Sequence, residues 1–374
     1  MRQYHNLANL PSVINSSKEL QDIYLPIFFK IESEDDRALF FKLKELYPFL
    51  KIYDKILSQI RELIILRNPS RKLNENELKD CIDELLAGKD MLSYGSWVYY
   101  SWDNSLVHVL DENEFFEVRT SRNLYKITKE EQKHLANKIV GVIGLSVGQS
   151  IAITIAIERV CGELRLADFD KIELSNLNRI RTGVKNLNLP KAIIAAREIV
   201  SIDPYINVKC FTDGLTYDNI DDFIFNGGSK IDLIVEECDS VDIKILSRIK
   251  AKSHRIPVVM DTNDRGMIDI ERFDLDPEYP ILHGLVSNLD FSSIRDLSVE
   301  EKIKVLGPIA DVENMSPRMK YSLSEIGKSI TTWPQLASSV MLGGAIVTDT
   351  VRRIFLGELQ KSGRYFVDIE QIIR

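Results

Sequence analysis

From Lys138 onward the chain repeats one rhythm: a short β-branched run, a turn, then a helical stretch. Lys138 to Ile143 predicts a strand, Ile151 to Val160 a buried helix, and Leu164 to Asp168 the next strand. Lys191 to Ile202, Asn207 to Phe211, Asp218 to Ile224, Ile231 to Glu236, Ile243 to Ser253 and Ile256 to Asp261 continue the alternation. Strands separated by helices of this length do not pair as hairpins. They need right-handed crossovers and a mostly parallel, doubly wound sheet, so the expected fold class is α/β. The length of 374 residues allows two domains, and 44% hydrophobic with 28% charged residues is ordinary globular composition.

The region ahead of this rhythm predicts an accessory module, residues 1–115, helical and then β. Apolar residues at Leu39, Phe40, Leu43 and Leu46, and again at Ile56, Ile60, Leu63 and Ile64, recur at helical spacing. Asn68-Pro69-Ser70 ends the second run, and Glu75 to Leu86 predicts a third helix closed by Gly88. From Tyr94 to Val118 the residues turn aromatic and β-branched, broken by Asp103-Asn104, which predicts one or two hairpins.

Charge and cysteine usage remove several classes. The net charge is −8 and evenly spread, against a dedicated nucleic-acid binder, so nucleic acid is not an expected partner. Cys81, Cys161, Cys210 and Cys238 form no C-x-x-C pair. No zinc site or disulfide scaffold is expected, and a cytoplasmic location fits. Met1 to Glu19 is polar, unlike a secretory leader. Ile139 to Ile157 carries no charge, but Gly144, Ser146, Gly148, Gln149 and Ser150 in its middle read as a turn. No membrane partner is expected.

Gly144-Leu145-Ser146-Val147-Gly148 lies between the first strand and the buried helix. It matches the G-x-S-x-G nucleophile elbow of serine hydrolases, approximates a glycine-rich phosphate turn of a Rossmann-like fold, and also fits a purely structural turn. Asp168 follows about twenty residues later at the end of the next strand, where an acidic residue accepts from a ribose. The hydrolase needs a later histidine in a loop after a strand. Only His254 and His283 follow, and His254 falls on a helix end.

The second turn, Ala167 to Arg179, reads A-D-F-D-K-I-E-L-S-N-L-N-R. It resembles the D-x-D-x-V-x-x-S-N-L-x-R pattern of the ThiF/MoeB/HesA adenylyltransferases, relatives of ubiquitin-activating enzymes. The resemblance runs from about Arg119 onward and assigns residues 116–374 to an adenylation domain. It implies ATP and Mg2+ as cofactors. Asp168 and Asp170 would meet the ribose side of the nucleotide, and Asn176 the phosphates and metal. Arg179 and Lys191 would carry positive charge to the phosphates, and Asp239, ending V-E-E-C-D, would hold magnesium. Gly144, Ser146 and Gly148 would form the phosphate turn. Thr120-Ser121-Arg122-Asn123 with Gln132 and Leu135 resembles the lead-in in which an arginine reaches the partner subunit's triphosphate, which makes Arg122 catalytic in trans. Trp333-Pro334-Gln335-Leu336, leading into Ala337 to Phe355, resembles the closing helix that supports a homodimer.

The implied reaction is carboxylate plus ATP giving an acyl-adenylate and pyrophosphate. The implied substrate is the C-terminus of a ubiquitin-like protein or peptide. A tRNA-modifying relative, an NAD-binding oxidoreductase and a nucleotide-binding pseudoenzyme are the alternatives. Three departures stand out. Ser146, Val147 and Gln149 replace glycines of the phosphate turn, where the Ser146 hydroxyl could donate to the α-phosphate. Asp261 to Arg265 replaces a small-residue stretch, so that Asp264 and Arg265 either shape an acceptor pocket or form a local ion pair. No cysteine follows Cys238, so no transfer thiol is expected between Asp274 and Met315.

Overall fold

The computed structural model describes residues 21–286 and 299–373. The polar start, Met1 to Glu19, and part of the stretch from Asp274 to Met315 therefore lie outside the described residues. The chain divides into two compact units, Met1–Gln132 and Lys133–Arg374.

The first unit contains a four-stranded sheet of β1 (Ile27–Phe29), β2 (Lys51–Asp54), β3 (Ser96–Tyr100) and β4 (Ser105–Val109), in the order β1-β3-β4-β2. Its helices are α1 (Glu34–Leu46), α2 (Ile56–Arg67), α3 (Glu75–Leu86) and α4 (Glu112–Arg119). The predicted third helix is matched end to end. Asn74 caps it, taking the Asn76 and Glu77 N–H groups while Glu77 returns a bond to the Asn74 N–H; such a box contributes about 1 kcal/mol.

Of the one or two hairpins expected between Tyr94 and Val118, one is present. β3 and β4 form it, and Glu112–Arg119 is a helix. Asp111 stands at its N-cap position and Glu112 and Glu114 in its first turn favour the helix dipole. The expectation of mostly helix before residue 90 also missed β1 and β2. β1 is three residues long, and β2 is an edge strand exposed at every position, so neither carries a buried alternating pattern.

Helix α5 (Lys129–Leu135) spans the division between the units. The second unit holds a seven-stranded sheet: β5 (Ile139–Ile143), β6 (Glu163–Ala167), β7 (Asn207–Phe211), β8 (Leu233–Glu236), β9 (Val258–Thr262), β10 (Met267–Glu271) and β11 (Gly363–Phe366). The order is β11-β10-β9-β8-β5-β6-β7. β9, β8, β5, β6 and β7 run parallel, and β10 and β11 extend the sheet antiparallel. The expected α/β doubly wound fold is present.

Helices α6 (Gly148–Glu158), α7 (Lys191–Ile202), α8 (Ile220–Phe225) and α9 (Val241–Ser253) make the crossovers. Helices α10 (Val299–Ile309), α11 (Pro317–Glu325), α12 (Ala337–Phe355) and α13 (Ile369–Ile372) follow. The uncharged run at Ile139 is thus a strand and a buried helix. Among the described residues no helix is long and apolar enough to cross a membrane.

Two charged devices organise this interior. Arg165 on β6 is fully buried and donates to the carbonyls of Phe223, Ile224, Asn226 and Ser229. It thereby satisfies the open carbonyl end of α8. Beside β8, Arg248 of α9 bridges Glu236 and Glu271, each at 2.5 Å, and Lys244 adds a second cation to Glu236 at 2.8 Å.

Between β5 and β8 the chain order reverses. In open α/β sheets, ligands bind at the carboxyl ends of strands at such a switch point.

Candidate nucleotide site

Three turns meet at that switch point. The first leaves β5. Gly144 has φ +83°, and an added Cβ would lie 2.7 Å from the Glu237 carbonyl and 2.8 Å from the Cys238 nitrogen. The backbone after β8 therefore approaches as closely as a bare glycine allows. The Glu237 N–H donates to the Ile143 carbonyl at 2.7 Å, which fixes that approach. At Gly148, the first residue of α6, a Cβ would be 2.8 Å from Val142.

The second turn leaves β6. Asp168 is buried, and its carboxylate accepts the Leu145 N–H at 2.6 Å and the Asp170 N–H at 2.7 Å. One side chain thus ties the first turn to the second. Burial raises its pKa, against the lowering influence of Lys191 and both N–H bonds. Asp170 accepts from the Lys191 ammonium at 2.7 Å. That side chain is 7% exposed and begins α7. Asn176 is buried, and its amide oxygen takes the Glu173 N–H at 3.0 Å, closing its own loop.

Arg179 donates to the Ser146 hydroxyl oxygen through Nε at 3.1 Å and Nη2 at 2.9 Å, and to Asn178 through Nη1 at 2.9 Å. Ser146, standing where a glycine was expected, anchors the arginine. The structure also explains Gln149, which sequence reasoning treated only as a departure. Its side chain takes the Arg181 N–H at 2.8 Å and donates to the Arg181 carbonyl at 3.2 Å. It pins the S-N-L-N-R loop onto α6. No pattern of apolar or glycine residues signals such a pairing.

The third turn leaves β8. Glu236 turns into the ion network with Lys244 and Arg248. Those cations hold its carboxyl down at about 2 despite full burial. Glu237 faces the other way, against Gly148. Asp239 stands at the strand end. Desolvation raises its carboxyl, while Lys244, Lys191 and Arg179 pull it back. Desolvation likewise lowers Arg179, offset by Asp239. The turns therefore gather Asp168, Asp170, Arg179, Lys191 and Asp239 with Gly144, Ser146 and Gly148.

Arg122 belongs to the first unit, in a single helical turn at Ser121–Asn123. Asn123 of the same lead-in donates to Gln132 at 3.0 Å. Of the two readings left open for Asp264 and Arg265, the local ion pair is not formed. Asp264 takes the Ser316 N–H and hydroxyl, and Arg265 pairs with Asp368. Both line a cavity of about 710 Å³ with Met315, Met319 and Leu336. Cys238 is half-buried against the core, as a small packing residue.

Among the described residues no group of three or more His, Cys, Asp or Glu side chains gathers as a metal centre. A single carboxylate such as Asp239 still suits magnesium, a hard cation that keeps waters and takes phosphate oxygens.

Residues 119–278 match the model of the ThiF family. The chain carries a ThiF family domain. An uncharacterized protein of Mycobacterium tuberculosis is 45% identical over 273 residues, 73% of this chain and 38% of that protein. Ubiquitin-like modifier-activating enzyme 5 of Drosophila willistoni is 25% identical over 162 residues, 41% of this chain and 39% of the relative. The chain spans about two fifths of the length of these curated relatives. The tRNA threonylcarbamoyladenosine dehydratase of Bacillus subtilis is 22% identical over 247 residues, 63% of this chain and 95% of that protein. Among solved structures, the E. coli tRNA N6-threonylcarbamoyladenosine dehydratase with AMP covers 67% of this chain and 98% of its own, at 17% identity and a TM-score of 0.48. The ThiF domain match takes in all three turns, from Gly144 to Asp239.

Proposed function

We propose that the ThiF domain is an ATP-dependent adenylyltransferase. It activates a carboxylate, the C-terminus of a ubiquitin-like protein or peptide, as an acyl-adenylate. The observation that carries this reading is the convergence of Asp168, Arg179, Lys191 and Asp239 at the switch point of the sheet.

The donors left over support it. A guanidinium has five N–H bonds and an ammonium three. Arg179 uses three on Ser146 and Asn178, and Lys191 uses one on Asp170. Two N–H bonds therefore remain on each for phosphate oxygens. Both carboxylate oxygens of Asp168 keep a lone pair for ribose hydroxyls beyond the N–H bonds they accept. The Ser146 oxygen accepts from Arg179, which leaves its own proton to donate to the α-phosphate.

The incoming carboxylate oxygen attacks the α-phosphorus, the bond from that phosphorus to the bridging oxygen breaks, and pyrophosphate leaves. No protein nucleophile or proton transfer is required. The side chains contribute position and charge. Magnesium bound by Asp239 would add charge neutralisation at the phosphates.

Pyrophosphate exchange into ATP tests this. A peptide ending in Gly-Gly should stimulate exchange, and Asp239→Ala should abolish it. Exchange that survives Asp239→Ala refutes the metal assignment. The matched relatives named as tRNA threonylcarbamoyladenosine dehydratases favour a second reading, activation of a carboxylate on a tRNA nucleoside. Exchange stimulated by tRNA and not by peptide selects it.

The proposed homodimer brings Arg122 to the partner's triphosphate. Arg122→Ala and Asp239→Ala chains, each inactive alone, should regain activity when mixed, up to about a quarter of wild type for random pairing. Absence of rescue in verified heterodimers rejects the role in trans.

A further inference from the structure

The ends of β8 and β9 hold a second group of oxygens that the adenylation chemistry leaves unused. Asp261, near the end of β9, is 6% exposed, and neither carboxylate oxygen meets a hydrogen-bond donor. Helix α12 covers it at Gly343, where an added Cβ would lie 2.1 Å from one of those oxygens. Glu237 lies alongside, and its Oε1 accepts the Asp261 N–H at 2.8 Å. Asn263 follows in the turn directly after β9, and its side-chain oxygen is also buried without a donor.

A buried acceptor without a donor costs free energy, and a buried charge without a partner costs more. Other buried carboxylates among the described residues of this unit meet cations. Glu236 and Glu271 meet Arg248 and Lys244, and Asp203 meets Arg159. The Asp261 group departs from this with oxygens alone. Carboxylate and carbonyl oxygens without nitrogen or sulfur are the donor set of hard cations.

We propose that Glu237, Asp261 and the Asn263 side-chain oxygen form a binding site for a hard divalent cation. The site is separate from the nucleotide-linked magnesium at Asp239 and filled without ATP. It sits behind the phosphate turn, because Glu237 packs on Gly148. The bound cation would brace the β8 and β9 strand ends under α12. The proposal stands independently of the adenylation reading, since the oxygens involved make no contact assigned to nucleotide.

Mn2+ is the probe, followed by loss of its free electron-paramagnetic-resonance signal on adding nucleotide-free full-length protein at pH 8. Wild type should take up one Mn2+ per chain, Asp239→Asn should still do so, and Asp261→Asn should lose it. Millimolar Mg2+ should raise the Tm of wild type and leave that of Asp261→Asn unmoved. Wild type that binds no Mn2+ without nucleotide overturns the proposal. So does uptake retained in Asp261→Asn or lost in Asp239→Asn. If Asp261→Asn does not fold, Glu237→Gln takes its place with the same expectations. Without a cation, the two carboxyls instead share protons. Asp261→Asn is then stabilised to the same extent with and without Mg2+, and that result also rejects the site.

Discussion

Arg248→Met should destabilise the second unit by about 3–5 kcal/mol, the cost of removing one partner from a buried ion pair. Read as thermal unfolding, this is a fall of roughly 10 °C for a unit of this size. Methionine keeps most of the buried stem, so the loss reports charge rather than a cavity. Glu271 would lose its bond to the Arg248 Nε, while Glu236 would keep Lys244 as its one cation beside the Cys238 N–H.

The pH dependence separates this cause from misfolding. In wild type the Glu236 carboxyl is held at about 2, below its unfolded value. The stability it contributes is present above the unfolded value and is lost as pH falls from there through about 2. Without Arg248 the Glu236 carboxyl shifts upward, and its protonation relieves the stranded charge. The difference between variant and wild type should therefore shrink steadily from pH 8 to pH 4 in urea titrations. A difference constant with pH would locate the effect in packing. Replacing Glu236, Lys244, Arg248 and Glu271 together with apolar residues of similar volume should recover most of the loss, because no buried charge is then left without a partner.

This network also marks where sequence reasoning stops. The strands and helices that bury a periodic face were legible from residues alone. Lys191–Ile202 and Asn207–Phe211 end where their patterns end, and Ala337–Phe355 matches the closing helix that the family resemblance implied. The adjacent Glu236 and Glu237 gave no sign of which faced the phosphate turn. That choice is made by Lys244 and Arg248, on the following helix. β10 and β11 were missed because they are antiparallel additions to the sheet edge, held by pairing with β9 rather than by a crossover rhythm.

At the candidate site, the spaced D-F-D…S-N-L-N-R run pointed to Asp168 and Arg179, and the family resemblance pointed to Lys191. It did not disclose that Asp170 holds Lys191 or that Gln149 holds the loop. Those are polar contacts between segments far apart in the chain. The departure at Ser146 is explained only once Arg179 is seen to rest on it.

Arg179→Ala should weaken ATP binding roughly tenfold to a hundredfold, the worth of one or two charge-assisted hydrogen bonds to phosphate. Isothermal titration of the nucleotide into full-length protein reads this without knowledge of the carboxylate substrate. Three observations argue for an effect of this size. The guanidinium is fixed at three of its five N–H bonds, so little side-chain freedom is lost when phosphate arrives. Its surroundings are desolvated, which lowers its pKa and strengthens a contact with an anion. It lies on a loop anchored by Gln149 and Asn178, so truncating it leaves that loop in place. Arg179→Lys should restore little of the affinity, because an ammonium cannot match two phosphate oxygens with a planar fork while resting on Ser146. Ser146→Gly should weaken binding less than Arg179→Ala, since it removes the tether and leaves the charge. If Ser146→Gly proves as damaging as Arg179→Ala, the serine's bond to the α-phosphate matters as much as the arginine's charge. If Arg179→Ala leaves ATP affinity and its salt dependence unchanged, the arginine does not face the phosphates.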